Sequence, residues 1–227
     1  MTQPERKMET TNMKDTSRIA AILFLSALVL APVARADISF QVTVDTTPLA
    51  GVSGYMAFDL FGGIPLQDNV ATITSFASTS TLSSAPAPSG NVTGSLVPGP
   101  LVETADQFFN EWLQPVTFAS GLTTFSLDLT NNYIPASTPD SFSFTLLDNT
   151  FTPFVTSDST GADRLFAIDL VGADTMPDVF TSAFATATVT ASTGAVPEPH
   201  FLPVAFLGFA LMIAIHIVFR RRALSLG

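Results

Sequence analysis

Residues 38–44 run Ile38-Ser39-Phe40-Gln41-Val42-Thr43-Val44, apolar at every second position. A period of two places Ile38, Phe40, Val42 and Val44 on one face of an extended strand, whereas a helix would scatter them around its axis. The pattern returns at Phe125, Leu127 and Leu129, and again at Phe142, Phe144 and Leu146. Segments 38–46, 54–61, 69–77, 91–97, 115–119, 122–130, 141–148, 164–171 and 179–191 are all rich in Phe, Val, Ile and Thr and read as strands. Turn formers separate them: Gly62-Gly63, Asp68-Asn69, Pro98-Gly99-Pro100, Asn131-Asn132 and Thr138-Pro139-Asp140. This spacing predicts an all-β fold over residues 37–191, an antiparallel β-sandwich of jelly-roll-like type.

The chain has 227 residues and no Cys, so packing alone must hold that sandwich. Fifteen Phe in residues 37–196 supply the means. At roughly 2–3 kcal/mol for each fully buried large side chain, half of them would contribute tens of kcal/mol before chain entropy is counted.

Charge is distributed unevenly. Residues 37–196 hold one cation, Arg164, against fifteen acids, a formal charge of −14, and neither Lys nor His. Nucleic acid is excluded as a partner, because binding it depends on Lys and Arg that displace counterions from phosphate. The same composition removes a Ser-His-Asp triad, a Cys nucleophile, a Schiff-base lysine and a histidine-held metal. Carboxylate chemistry remains. A glycosidase needs two acids across a cleft, and Glu103, Glu111 and thirteen Asp offer pairs without a distinctive motif, so the expected domain is not an enzyme.

Two apolar segments frame the domain. Ile19 to Ala31 follows Lys14 and Arg18 and precedes Ala34-Arg35-Ala36, the pattern of a secretory signal peptide over residues 1–36 with small residues at −3 and −1 of a cut after Ala36. Initiation at Met13 gives a leader of more ordinary length. Phe201 to Phe219 is a nineteen-residue run without a formal charge, long enough as a helix to cross about 28 Å of hydrocarbon. Arg220, Arg221 and Arg222 follow at once as a membrane stop signal that holds this end in the cytoplasm, so everything before residue 200 is expected on the other side. Ahead of the run, residues 192–196 form a short tether. Pro197-Glu198-Pro199 then fixes an extended, accessible backbone at the membrane surface, since each Pro locks its own φ and keeps its predecessor out of the helical region.

Pro197, Glu198 and Pro199, the apolar run and the Arg cluster together resemble the PEP-CTERM sorting signal, here covering residues 197–222. That resemblance implies a Gram-negative bacterial protein exported by the Sec translocon, trimmed by signal peptidase, held briefly in the inner membrane and recognised by exosortase. The cargo would then be released to, or attached at, the cell surface or the exopolysaccharide matrix. A second resemblance lies within the domain. Phe40 through Gly51 (F-x-V-x-V-D-T-x-P-L-x-G), then Gly54, Phe58-Asp59-Leu60, Thr124 through Leu129 and Ser141 through Asp148, are similar to an uncharacterised group of PEP-CTERM proteins, which bears on fold and on no activity.

Some segments depart from the strand pattern. Asp106 to Leu113 spaces Phe108, Phe109, Trp112 and Leu113 as one helical face and predicts a short helix or turn capping the sandwich. Trp112 reads either as packing or, with Tyr55 and Tyr133, as a contact for sugar in a carbohydrate-binding or adhesive module. Ser78 to Gly90 reads as an exposed loop, and Asn91-Val92-Thr93 as a chance match to the glycosylation pattern. No cofactor is expected. Calcium is the one ion with candidate ligands, at Asp158 and Asp163 in a Gly-containing loop and around Asp174 and Asp178, though neither loop has EF-hand spacing and turn-forming Asp is the simpler reading.

Overall fold

The computed structural model describes residues 37–192. The expected leader, the rest of the tether after Ser192, the Pro-Glu-Pro motif, the apolar run and the Arg cluster lie outside the described residues. Among the described residues no helix is long and apolar enough to cross a membrane.

The strands are β1 (Ile38–Asp45), β2 (Ser53–Phe61), β3 (Val70–Ser78), β4 (Thr81–Leu82), β5 (Ala87–Ser89), β6 (Val92–Gly94), β7 (Leu101–Thr104), β8 (Phe109–Thr117), β9 (Leu122–Leu129), β10 (Ser141–Asp148), β11 (Phe166–Asp169), β12 (Pro177–Val179) and β13 (Thr186–Ala191). The only helical turns described are single 3₁₀ turns at Thr47–Leu49 and Gly172–Asp174. Two antiparallel sheets form: β13-β1-β9-β3-β7-β6, and β12-β11-β10-β2-β8-β4 with β5 also on β8.

The three predicted stripes become the inner faces. Phe40 lies opposite Leu127 and Val42 opposite Phe125 in the first sheet, while Phe142 lies opposite Leu60 and Phe144 opposite Phe58 in the second. Phe125 reaches across to Phe58 (ring centroids 5.5 Å) and Phe144 (5.8 Å), so the two sheets pack face to face around one aromatic centre. Seven of the Phe side chains are fully buried.

Four expectations need correction, and one strand was not expected at all. The 106–113 segment is no helix: after a turn at 105–108 it enters β8, where Trp112 faces inward opposite Phe58. Its helical spacing coincides with a strand because Asn110, Trp112, Gln114 and Val116 also alternate, and pairing with β2 outweighs local periodicity. The strand expected at 115–119 is therefore the end of a longer one. Within Ser78–Gly90, β4 and β5 form short edge strands on β8. The strand expected over 179–191 is two, β12 and β13, which belong to different sheets. Finally, Leu101–Thr104 forms β7, which sequence periodicity missed because Glu103 occupies an inward position.

Candidate functional site

That inward glutamate is the starting point. On β7, Leu101 and Glu103 point into the core, and Glu103 is fully buried with neither carboxyl oxygen hydrogen-bonded. An isolated buried carboxylate is costly, so burial first, and the charge of Asp59 second, hold Glu103 well above the ordinary carboxylate range. Trp112, inward on β8 beside β7, likewise leaves its Nε1–H without a partner.

On the opposite face of the second sheet, Asp59 and Glu111 stand directly across from each other in the β2–β8 ladder. Directly opposed residues bring their Cβ atoms to about 5 Å. Asp59 is 8 % exposed, and burial together with the neighbouring Glu111 charge pushes its carboxyl up to about 7. Glu111, half-buried, is also raised by burial, partly offset by a hydrogen bond from Asp59. The Ser143 hydroxyl donates to Asp59 Oδ2 at 3.4 Å, while Oδ1 has no partner. Placed side by side and partly desolvated, the two carboxyls oppose each other's ionisation, so Asp59 gives up its proton at a higher pH than an exposed aspartate does.

Glu103 and Glu111, the two glutamates of the carboxylate reading, belong to different sheets, Glu103 inward on β7 and Glu111 half-buried on β8, close enough that the Glu111 charge adds to the rise of the Glu103 carboxyl. A retaining glycosidase keeps its two carboxyls about 5 Å apart with the sugar between them. Asp59 and Glu111 are directly opposed on neighbouring strands of one sheet.

The three aromatic residues proposed for sugar contact are dispersed. Trp112 is 6 % exposed within the core cluster, with no ring face free for stacking. Tyr133 lies partly buried in the β9–β10 connection, beside Gly172. Tyr55, on the outer face of β2, lines an open surface pocket of about 280 Å³ with Thr81, Leu82 and Pro115, and its ring stacks on Phe151 at 4.6 Å.

The Asp158–Asp163 loop is organised by its own donors. Asp158 Oδ1 accepts the Thr160 N–H and hydroxyl, and Oδ2 accepts Arg164 Nε–H at 2.7 Å. The guanidinium beside it holds the Asp158 carboxyl well below the usual range. Asp163 turns away to accept the Thr156 N–H at 2.9 Å. The lone cation of the domain thus occupies the carboxylate that calcium would require. Asp174 belongs to the second 3₁₀ turn and Asp178 to β12. Asn91, of the glycosylation-like triplet, donates its side-chain amide to Asp106 at 2.8 Å.

Asp59 is the site residue that sequence reasoning did not single out. A signal existed: Phe58-Asp59-Leu60 sits in the middle of the chain's most apolar strand, where a carboxylate cannot be solvated on both sides. Against protein-family models, curated proteins and solved structures, the chain has no match.

Proposed function

We propose that the chain is an exported, non-enzymatic cell-surface or extracellular-matrix protein, sorted by exosortase through its PEP-CTERM signal at residues 197–222. The observation that carries this reading is the order of parts along one sequence: a leader ending in Ala34-Arg35-Ala36, a cargo nearly free of cations, then Pro197-Glu198-Pro199, an apolar run and three arginines. The described sandwich supports it by its limits. β1 begins two residues after the expected cut, and β13 ends six residues before Pro197.

In this reading the Sec translocon and signal peptidase deliver the domain to the periplasmic side of the inner membrane. The span at 201–219 holds it there, and exosortase removes the span. Consecutive strands β1, β2 and β3, and later β7, β8, β9 and β10, alternate between the sheets, which favours the jelly-roll-like assignment. What favours a non-enzymatic role is chemistry: the acids near one another are shut in a core or paired on neighbouring strands of one sheet. A second reading, an adhesive module for exopolysaccharide, has one specific support, the Tyr55–Phe151 stack beside the surface pocket.

The test is Glu198→Ala in the native host. The substituted protein should accumulate at full length in the inner membrane while the unsubstituted one leaves it. Normal release of the variant would count against recognition of the tripeptide.

A further inference from the structure

Both ends of the described chain leave the same end of the sandwich. β1 starts at Ile38 opposite Leu129, β13 finishes at Ala191 opposite Phe40, and the Ser192 N–H donates to Ser39 O at 2.7 Å. Four connections meet at this end, residues 62–69, 105–108, 130–140 and 170–176, and polar side chains lock them together. The buried Asp140 carboxylate accepts the Gly63 N–H at 2.6 Å and Asn69 Nδ2–H at 2.9 Å. Gln67 donates to Thr138 O and accepts from the Ile134 N–H. The Gly62 N–H donates to Phe108 O at 2.9 Å, and Asn131 Nδ2–H to Gly172 O at 2.7 Å.

Each locked connection presents an apolar side chain outward. Ile64 is 70 % exposed, Phe108 66 % and Met176 74 %, joined by Leu66 and Ile134. Large apolar groups held outward by a rigid buried network are arranged for a partner, since folding alone gains nothing from them.

We propose that this end of the sandwich rests on the lipid surface of the membrane that anchors the chain, with Ile64, Leu66, Phe108, Ile134 and Met176 inserted among zwitterionic headgroups. The proposal rests on the reading of residues 201–219 as a membrane span. The opposite end also exposes apolar groups, among them Phe151, Val155 and Phe184, and tether length decides between the two. Eight residues separate Ser192 from Phe201, which reach about 30 Å at full stretch. An eight-residue strand alone is about 27 Å long. Turning the far end to the bilayer would spend the whole tether alongside the domain, whereas the near end meets the surface with slack. Charge selects the lipid. Asp68, Asp106 and Asp174 are exposed on these connections, and Arg164, the one cation of the described residues, is engaged with Asp158. Anionic headgroups would be repelled, and the ammonium of phosphatidylethanolamine fits.

The chain has no Cys, so one introduced cysteine carries one label. The full-length chain, with an environment-sensitive fluorophore at Ile64→Cys, Phe108→Cys, Met176→Cys, Val155→Cys or Phe206→Cys, is reconstituted in phosphatidylethanolamine–phosphatidylcholine vesicles containing lipids brominated near the headgroup. Labels at 64, 108 and 176 should be quenched at least twofold more than the label at 155, and the difference should shrink as phosphatidylglycerol is added. Quenching at 206 with the three near-end labels no different from 155 overturns the proposal and leaves the anchor standing. No lipid protection at 206 overturns the anchor reading, and the proposal with it.

Discussion

Replacing Asp59 by Asn should flatten the pH dependence of this protein's stability and raise its stability in mild alkali. The Asp59 carboxyl titrates near 7 in the folded chain, against 3.8 for an unperturbed aspartate. Between those values the folded state holds a proton that the unfolded state has lost. Stability from this group is therefore fully present below about pH 4 and declines as pH rises to about 7. A difference of about three pKa units corresponds to roughly 4 kcal/mol, a large share of the 5–15 kcal/mol typical of a domain. Glu103 and Glu111, also raised, act in the same direction. Asp158 acts oppositely, since its lowered carboxyl gives stability that is lost only in acid, below the window set by Asp59.

Trp112, the sole Trp and buried in the core, reports unfolding without a label. Urea titrations of the full chain in detergent, followed by its fluorescence from pH 4.5 to 9, should show the midpoint falling as pH rises. Asp59→Asn should shift the pH 8.5 midpoint upward, equivalent to a melting temperature about 10 °C higher at roughly 2–4 °C per kcal/mol, and leave the pH 4.5 value nearly unchanged. A parent midpoint that is level from pH 4.5 to 8.5, or a variant that keeps the parent's slope, would refute the buried-carboxyl account.

Other substitutions test the core and the loop. Phe58→Ala removes the ring that touches Phe76, Phe125 and Phe144 at the meeting of the two sheets, and should cost about 3–5 kcal/mol in urea unfolding followed by circular dichroism; a loss under about 1 kcal/mol would mean the sheets are not packed through it. Arg164→Met strands the buried Asp158 carboxylate, so the Asp158 pKa measured by NMR should rise and the loop 156–164 should become sensitive to protease, while an unmoved pKa would show that the ion pair does not hold the loop. Calorimetric titration of the parent chain with calcium should give no binding heat, and saturable heat abolished by Asp158→Asn would establish a calcium site.

The inner faces were legible because three stripes, 38–44, 125–129 and 142–146, alternate over several residues with large side chains, and no competing period fits them. Legibility failed where a polar residue sits on an inward position. Glu103 disguised β7, and Asn110 and Gln114 let the 106–113 stretch pass for a helix, because the buried Asn110 amide finds its partners in Leu60 O, Gln107 O and the Asn91 N–H, none of them readable from local sequence. Short edge strands such as β4 and β5 owe their existence to β8 and carry no period of their own. The carboxylate cluster was half visible: Glu103 and Glu111 could be named, but their separation onto different sheets, and the place of Asp59 beside Glu111, follow from strand register.

The central claim is that a folded β cargo travels between two removable ends, and intact-mass spectrometry of the protein recovered from its native host tests it most directly. The account predicts one species beginning at Asp37 and ending within Pro197–Pro199. A mature protein that still carries residues 201–222, or that keeps the segment before Asp37, would contradict it.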